Sequence, residues 1–284
     1  KFTEDHDDNT VRFTTAEGTG GDVALATLNA RTLGDIFLDI DGSLSQQGKI
    51  FGDELDIEID GSVDVLTHVN TLELDVTEPG AATVTEIDDL LVTHAKMHDG
   101  NLSITSQSGA LEASLIQSSS DADVTLEANR DLTLSNLSMQ SGSLDLTSVN
   151  EDVLLETATV NGALTSSIEA LHNATVQELT VAQDATIDVI AHQQEATFDK
   201  VDIAGTGQIT IDALTNVNIL DQFTFNGGDL YAETTKGEGG IYGGPAGTGL
   251  IDAGTGTVEF LSGTEVHLQV IASLLDIEAY NDVT

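Results

Sequence analysis

Leu55-Asp56-Ile57-Glu58-Ile59-Asp60-Gly61-Ser62-Val63-Asp64-Val65 is the stretch that decides the fold of this chain. Apolar residues take every second position on either side of a turn glycine. Leu55, Ile57 and Ile59 therefore share one face of an extended segment, and Asp56, Glu58 and Asp60 share the other. Leu38-Asp39-Ile40-Asp41-Gly42-Ser43-Leu44 repeats the phrase 19 residues earlier, and Leu72-Glu73-Leu74-Asp75-Val76 continues it. Outward from there, the first apolar residue after each turn falls at Val23, Leu44, Val63, Ala82, Leu102, Val124, Leu144, Leu164, Ile187, Ile209 and Leu230, in steps of 19 to 23 residues. A strand-like unit of this length cannot bury its own apolar face, but stacked copies can. The pattern predicts an all-β fold, a single-stranded right-handed parallel β-helix (β-solenoid) of about 20–22 residues per coil, its handedness taken from the rule for parallel crossovers.

Two stretches break the rhythm. Residues 1–20 read as an N-terminal acidic segment, Asp5-His6-Asp7-Asp8-Asn9, followed by a first strand at Val11-Arg12-Phe13-Thr14. Residues 21–284 read as the solenoid, with a Gly-rich loop insertion at 236–249. Asn29, Asn70, Asn129, Asn150 and Asn216 follow the apolar anchors at positions that suit corners, where stacked side chains could form a polar ladder. Phe13, Phe198 and Phe260 read as core. A helical reading fails because Thr, Val and Ile abound and no apolar spacing of three and four is sustained.

The chain has 284 residues, no Cys, no Trp, 8 basic and 49 acidic residues, and a formal net charge of -41. Such acidity argues against nucleic acid and anionic lipid as partners. No segment reaches 18 consecutive apolar residues, so no membrane insertion by a helix is expected. Disorder, the usual fate of acidic chains, conflicts with 39% hydrophobic residues recurring in register. About 13 coils spaced about 4.8 Å apart give a rod of roughly 60–65 Å. Its charge is about one per 1.6 Å of axis, close to the linear density of duplex DNA. We read the chain as a piece of a longer polypeptide, since neither terminus resembles a cap.

Gly100-Asn101-Leu102-Ser103-Ile104-Thr105-Ser106 and Gly142-Ser143-Leu144-Asp145-Leu146-Thr147-Ser148 resemble the repeats of filamentous-haemagglutinin-like exoproteins, over roughly residues 21–232. That resemblance implies a β-helical rod of a large repetitive bacterial surface or secreted protein, in an adhesive or matrix role. It carries no common catalytic set.

The chemistry visible in the sequence is sparse. There is no nucleophile elbow, and His94 and His98 lack the intervening Glu of a zinc-hydrolase helix. Those two histidines read as solvent-exposed or corner residues. The Gly-rich loop lacks the Gly-Lys-Ser/Thr ending of a phosphate cradle. Counting from Gly42 and Gly61 aligns Asp41 with Asp60 and Asp39 with Glu58, with Asp56 and Asp75 at a similar place further back. Facing carboxylates about 4.8 Å apart repel unless a cation intervenes, and oxygen-only ligands suit Ca²⁺. Asp39, Asp41, Asp56, Glu58, Asp60 and Asp75 are thus the candidate metal ligands. The expectation is a non-enzymatic, structural, extracellular or cell-surface solenoid. It would self-associate into a fibre or filament and meet a surface polysaccharide or receptor. The alternative is a β-helical polysaccharide-binding or polysaccharide-cleaving protein.

Overall fold

The computed structural model describes residues 10–15, 18, 20–31, 33–235, 239–244, 249–279 and 282–283. The acidic segment Asp5–Asn9 lies outside them, as do residues 236–238 and 245–248 of the Gly-rich stretch. The described strands join in one continuous sheet in which every pairing is parallel, and each strand pairs with strands about one coil away. The chain is a β-solenoid of about 12 turns of about 21 residues.

Two sides run the length of the solenoid. Side one stacks Val23–Leu25, Leu44–Gln46, Val63–His68, Ala82–Glu86 and Leu102–Ser106, and continues to Leu274–Ala279. Side two begins at Val11–Thr14, paired to Ile36–Ile40, and proceeds through Glu54–Ile59 and Thr71–Pro79. From Leu90–Asp99 onward side two bends in its middle. Two consecutive residues face outward there, as at Ser135-Asn136 and Glu156-Thr157, so the alternation changes phase and a corner forms. A short third side, Leu28–Asn29, Ile50–Phe51 and the last two residues of Val63–His68, occurs only in the first coils.

Inside, each aliphatic residue rests on its counterpart a coil away. The register of side one runs Val124, Leu144, Ser166, Ile187, Ile209, Leu230 and Val258. One sequence expectation fails here. Leu164 is paired with Gly142, and Ser166 takes the place above Leu144. The turn glycines misled because they are not equivalent. Gly142 sits in the strand with φ 126°, where a Cβ would stand 2.0 Å from the Ala122 carbonyl oxygen, whereas Gly162 lies in the preceding corner.

The aliphatic ladder widens into an aromatic cluster near the C-terminal end. Phe198 and Phe260 are buried, as expected, and are joined by Phe223 and Phe225. Phe223 meets Phe198 at 5.5 Å and Phe225 at 6.4 Å, edge to face, the geometry aromatic quadrupoles favour. Gly207 gives Phe225 its room, since a Cβ there would lie 3.0 Å from the Phe225 Cβ. Phe13 is not core: it is 38% exposed, because its strand has a sheet neighbour on one side only among the described residues. Ile241–Gly243, inside the Gly-rich stretch, forms a rung of side two with Ile241 fully buried.

Candidate functional site

The six acidic candidates lie on and beside side two. Asp39, Glu58 and Asp75 form one outward column, since Asp39 pairs with Glu58 and Glu58 with Asp75. Asp56 stands in the neighbouring column, below Glu73. Basic residues bracket these columns. Lys96 follows Asp75 in its column with Nζ 3.3 Å from the carboxylate, and His94 follows Glu73, its Nε2 3.7 Å from Asp75. At the other end Arg12 lies over the Phe37 ring at 5.0 Å. Burial first, and then the charge of Glu73, pushes the Asp56 carboxyl above its ordinary range, against the opposing pull of His94. Asp41 and Asp60 occupy the corner and line a cleft of about 330 Å³ with Asp39 and Glu58. Each also serves as an acceptor, Asp41 for the Gly20 N–H at 3.1 Å and Asp60 for the Thr77 hydroxyl. Among the described residues, no three His, Asp or Glu side chains converge as a metal centre would require.

Polar side chains at the corners, five aspartates among them, have a structural use. A side-chain oxygen of one coil accepts the backbone N–H of the next: Asp22 from Ser43, Ser43 from Ser62, Ser62 from Ala81, Asp131 from Asp152, Asp152 from Asn173. The pattern recurs at Asp89, Asn101, Asn173, Asp184 and Asn216. These N–H groups fall where the strands end and the ladder does not reach them, so an acceptor one coil below satisfies them. Asn129 and Asn150 form the expected side-chain contact at 2.8 Å. Asn29, Asn70 and Asn216 instead bond Arg31 N–H, Asp53 and Gly240 N–H.

Side one arranges its carboxylates differently. Glu127, Asp145, Glu169, Asp188 and Asp212 occupy successive rungs but alternate between two outward columns. No carboxylate of this set stands directly over another, which lowers repulsion between like charges on adjacent strands. Glu233 breaks the alternation by standing over Asp212. After burial, the charge of Glu233 is the largest cause of the raised Asp212 pKa. Tyr231 donates to Glu233 at 2.6 Å and its own pKa is pushed up to about 12.

His98 is exposed and His94 half-buried at the surface, as expected, and among the described residues five histidines face carboxylates. His68 meets Asp88 at 3.1 Å, His172 meets Glu151 at 3.2 Å, and His192 meets Glu169 at 2.6 Å. His94 lies near Glu73 and Asp75, and His267 meets Glu265 at 3.1 Å.

Glu86 went unnoticed in the sequence. It is fully buried, in an inward column otherwise holding small residues such as Ser106, Ala128 and Ser148. Its carboxylate accepts from the Thr67 hydroxyl at 2.7 Å and from the N–H groups of Val69 at 3.1 Å and Ile87 at 2.7 Å. Burial pushes its pKa up, and these hydrogen bonds pull it back. Parity was the available signal: Ala82, Val84 and Glu86 are in phase, so the alternation that buries the first two buries the acid.

No protein family, no curated protein and no solved structure matches this chain.

Proposed function

We propose that the chain is a structural β-solenoid, a segment or subunit of an extracellular or cell-surface fibre with an adhesive or matrix role. The observation carrying this reading is the aliphatic core that continues through about 12 turns beneath an exterior bearing most of the 49 acidic residues. A wall of stacked parallel strands resists bending and pulling because each turn is held to its neighbours by backbone and corner hydrogen bonds at once. The acidic columns of side two supply a field that gathers cations diffusely; Ca²⁺ would act there by neutralising Asp39, Glu58 and Asp75 with Asp56. Self-association is the partner reading, because the parallel strands at either end of a solenoid carry unpaired N–H and C=O groups.

Negative-stain microscopy and small-angle scattering test this, at about 20 and 150 mM salt, with and without millimolar Ca²⁺ and with chelator. Rods that lengthen with Ca²⁺ or salt and shorten on chelation or dilution are the expected result. Particles of constant length under all these conditions, with an unchanged melting temperature, would refute the account of the charge.

A further inference from the structure

The third side ends abruptly. Asn29, Phe51 and His68 stack as one outward column, and among the described residues no strand carries the column past His68. On the following coil the chain turns inward at Glu86. The step leaves a recess of about 360 Å³ lined by Asn29, Arg31, Phe51, Gly52, His68 and Asn70.

Three features mark this recess. The rings of Phe51 and His68 lie 5.6 Å apart, tilted by 53°, and give it an aromatic wall. Gly52 lets the chain pass close behind, since a Cβ there would stand 2.7 Å from the Gly34 carbonyl oxygen. Arg31 is the one non-glycine residue among those described with a left-handed backbone, φ 67°, held by its N–H bond to Asn29 Oδ1 at 2.8 Å. Strained backbone of this kind persists where surrounding structure enforces it, and it concentrates at ligand-binding positions. The Arg31 guanidinium has no ion pair among the described residues, whereas Lys96 and Lys200 are paired with Asp75 and Glu178. Two carboxylates border the recess, each held by a residue that lines it: Asp53 accepts from the Asn70 amide at 2.6 Å, and Asp88 faces His68 Nε2 at 3.1 Å.

We infer that this recess binds a carboxylate-bearing sugar, one uronate residue of an acidic polysaccharide. The aromatic wall takes the C–H face of the ring. The guanidinium fork takes the carboxylate in a bidentate pair, and the Asn29 and Asn70 amides face the hydroxyls. A cleft of this size, with an aromatic wall and a few convergent polar groups, suits a ring rather than a small anion. The inference goes beyond the structural role, which stands whether or not the recess is filled.

Saturation-transfer NMR and calorimetry with a short oligogalacturonate test it, its methyl ester serving as the uncharged counterpart. About 150 mM salt keeps the field of the acidic rod within a Debye length of about 8 Å. The expected result is saturable binding to the wild type and to Arg130→Gln, a charge-matched change elsewhere. Arg31→Gln should weaken it at least about tenfold, as loss of a charged hydrogen-bonding pair does, and so should methyl esterification of the sugar. Phe51→Ala should weaken it as well, and Arg31→Gln decides alone if that variant does not fold. The inference is overturned by absence of saturable binding up to about 10 mM sugar, a range that includes weak single-site contacts. Equal affinities of Arg31→Gln and Arg130→Gln, or of acid and ester, overturn it too.

Discussion

Ser166 should be replaceable by alanine with a gain in stability. It sits in the inward column between Leu144 and Ile187 and is 3% exposed. Its Oγ is enclosed and has no hydrogen-bond partner. A buried hydroxyl without a partner carries a desolvation penalty of about 1–3 kcal/mol, and alanine removes the hydroxyl while keeping the Cβ that packs. Ser166→Ala should therefore stabilise the chain by about 1–3 kcal/mol. With a urea m-value near 3 kcal/mol/M for a chain of this size, the unfolding midpoint moves up by about 0.3–1 M at unchanged slope. Circular dichroism at the β-sheet minimum reads the transition, and hydrogen exchange over residues 164–170 reports whether the gain is local. A midpoint that stays put or falls would mean that the hydroxyl is bonded after all. The register placing Ser166 above Leu144 would then be wrong, and the pairing of Leu144 with Leu164 suggested by the glycine spacing would return.

Leu146→Ala, fully buried between Leu126 and Ile168, should cost about 3–5 kcal/mol in urea unfolding. Leu275→Ala, 45% exposed on the last long strand, should cost less than about 1 kcal/mol, and equal costs would contradict the ladder core. Gly142→Ala forces a side chain onto a φ of 126° and against the Ala122 carbonyl. A loss of about 2 kcal/mol or more is expected, with exchange protection falling first at the Gly142–Ala163 contact. Acidity should stabilise the chain. Glu54, Asp56, Glu86, Asp145 and Asp212 all have raised pKa values, burial being the first cause for each. A carboxyl with a raised folded-state value binds its proton more tightly when folded. Stability then falls as pH rises from the ordinary values of 3.8 and 4.5 through the raised ones. Glu265, held low first by His267, works in the opposite sense. The melting temperature at about pH 5 should exceed that at pH 7, and a decrease would show that paired surface carboxylates dominate instead.

The fold was legible because a period-2 alternation and a period near 20 residues leave few alternatives. Leu55, Ile57 and Ile59 face inward for the same reason that Leu72, Leu74 and Val76 do. Alignment by turn glycines worked through the early coils, where Asp39 does meet Glu58. It failed at Leu164, because a glycine marks a backbone need and not a fixed place in the coil. The acids were harder to read. Charge and its offset from Gly61 made Asp60 a metal candidate, and it also accepts a hydrogen bond from Thr77, as Asp152 accepts one from Asn173. Composition does not distinguish a carboxylate that repels its neighbour from one that ties two coils together. The recess was illegible for another reason. Phe51 and His68 stand at unequal offsets from any repeat mark, and only the short third side brings them into one column.

The corner bonds point mostly one way along the axis. Among the described residues, thirteen times a side-chain oxygen of an earlier coil accepts a backbone N–H of a later one; the bonds from Gly20 to Asp41 and from Val69 to Glu86 run in reverse. A turn thus offers side-chain oxygens toward the segment that follows it and backbone N–H groups toward the one before it. The corners therefore give the stack a polarity along its axis that the parallel strands, whose N–H and C=O groups point both ways, do not supply.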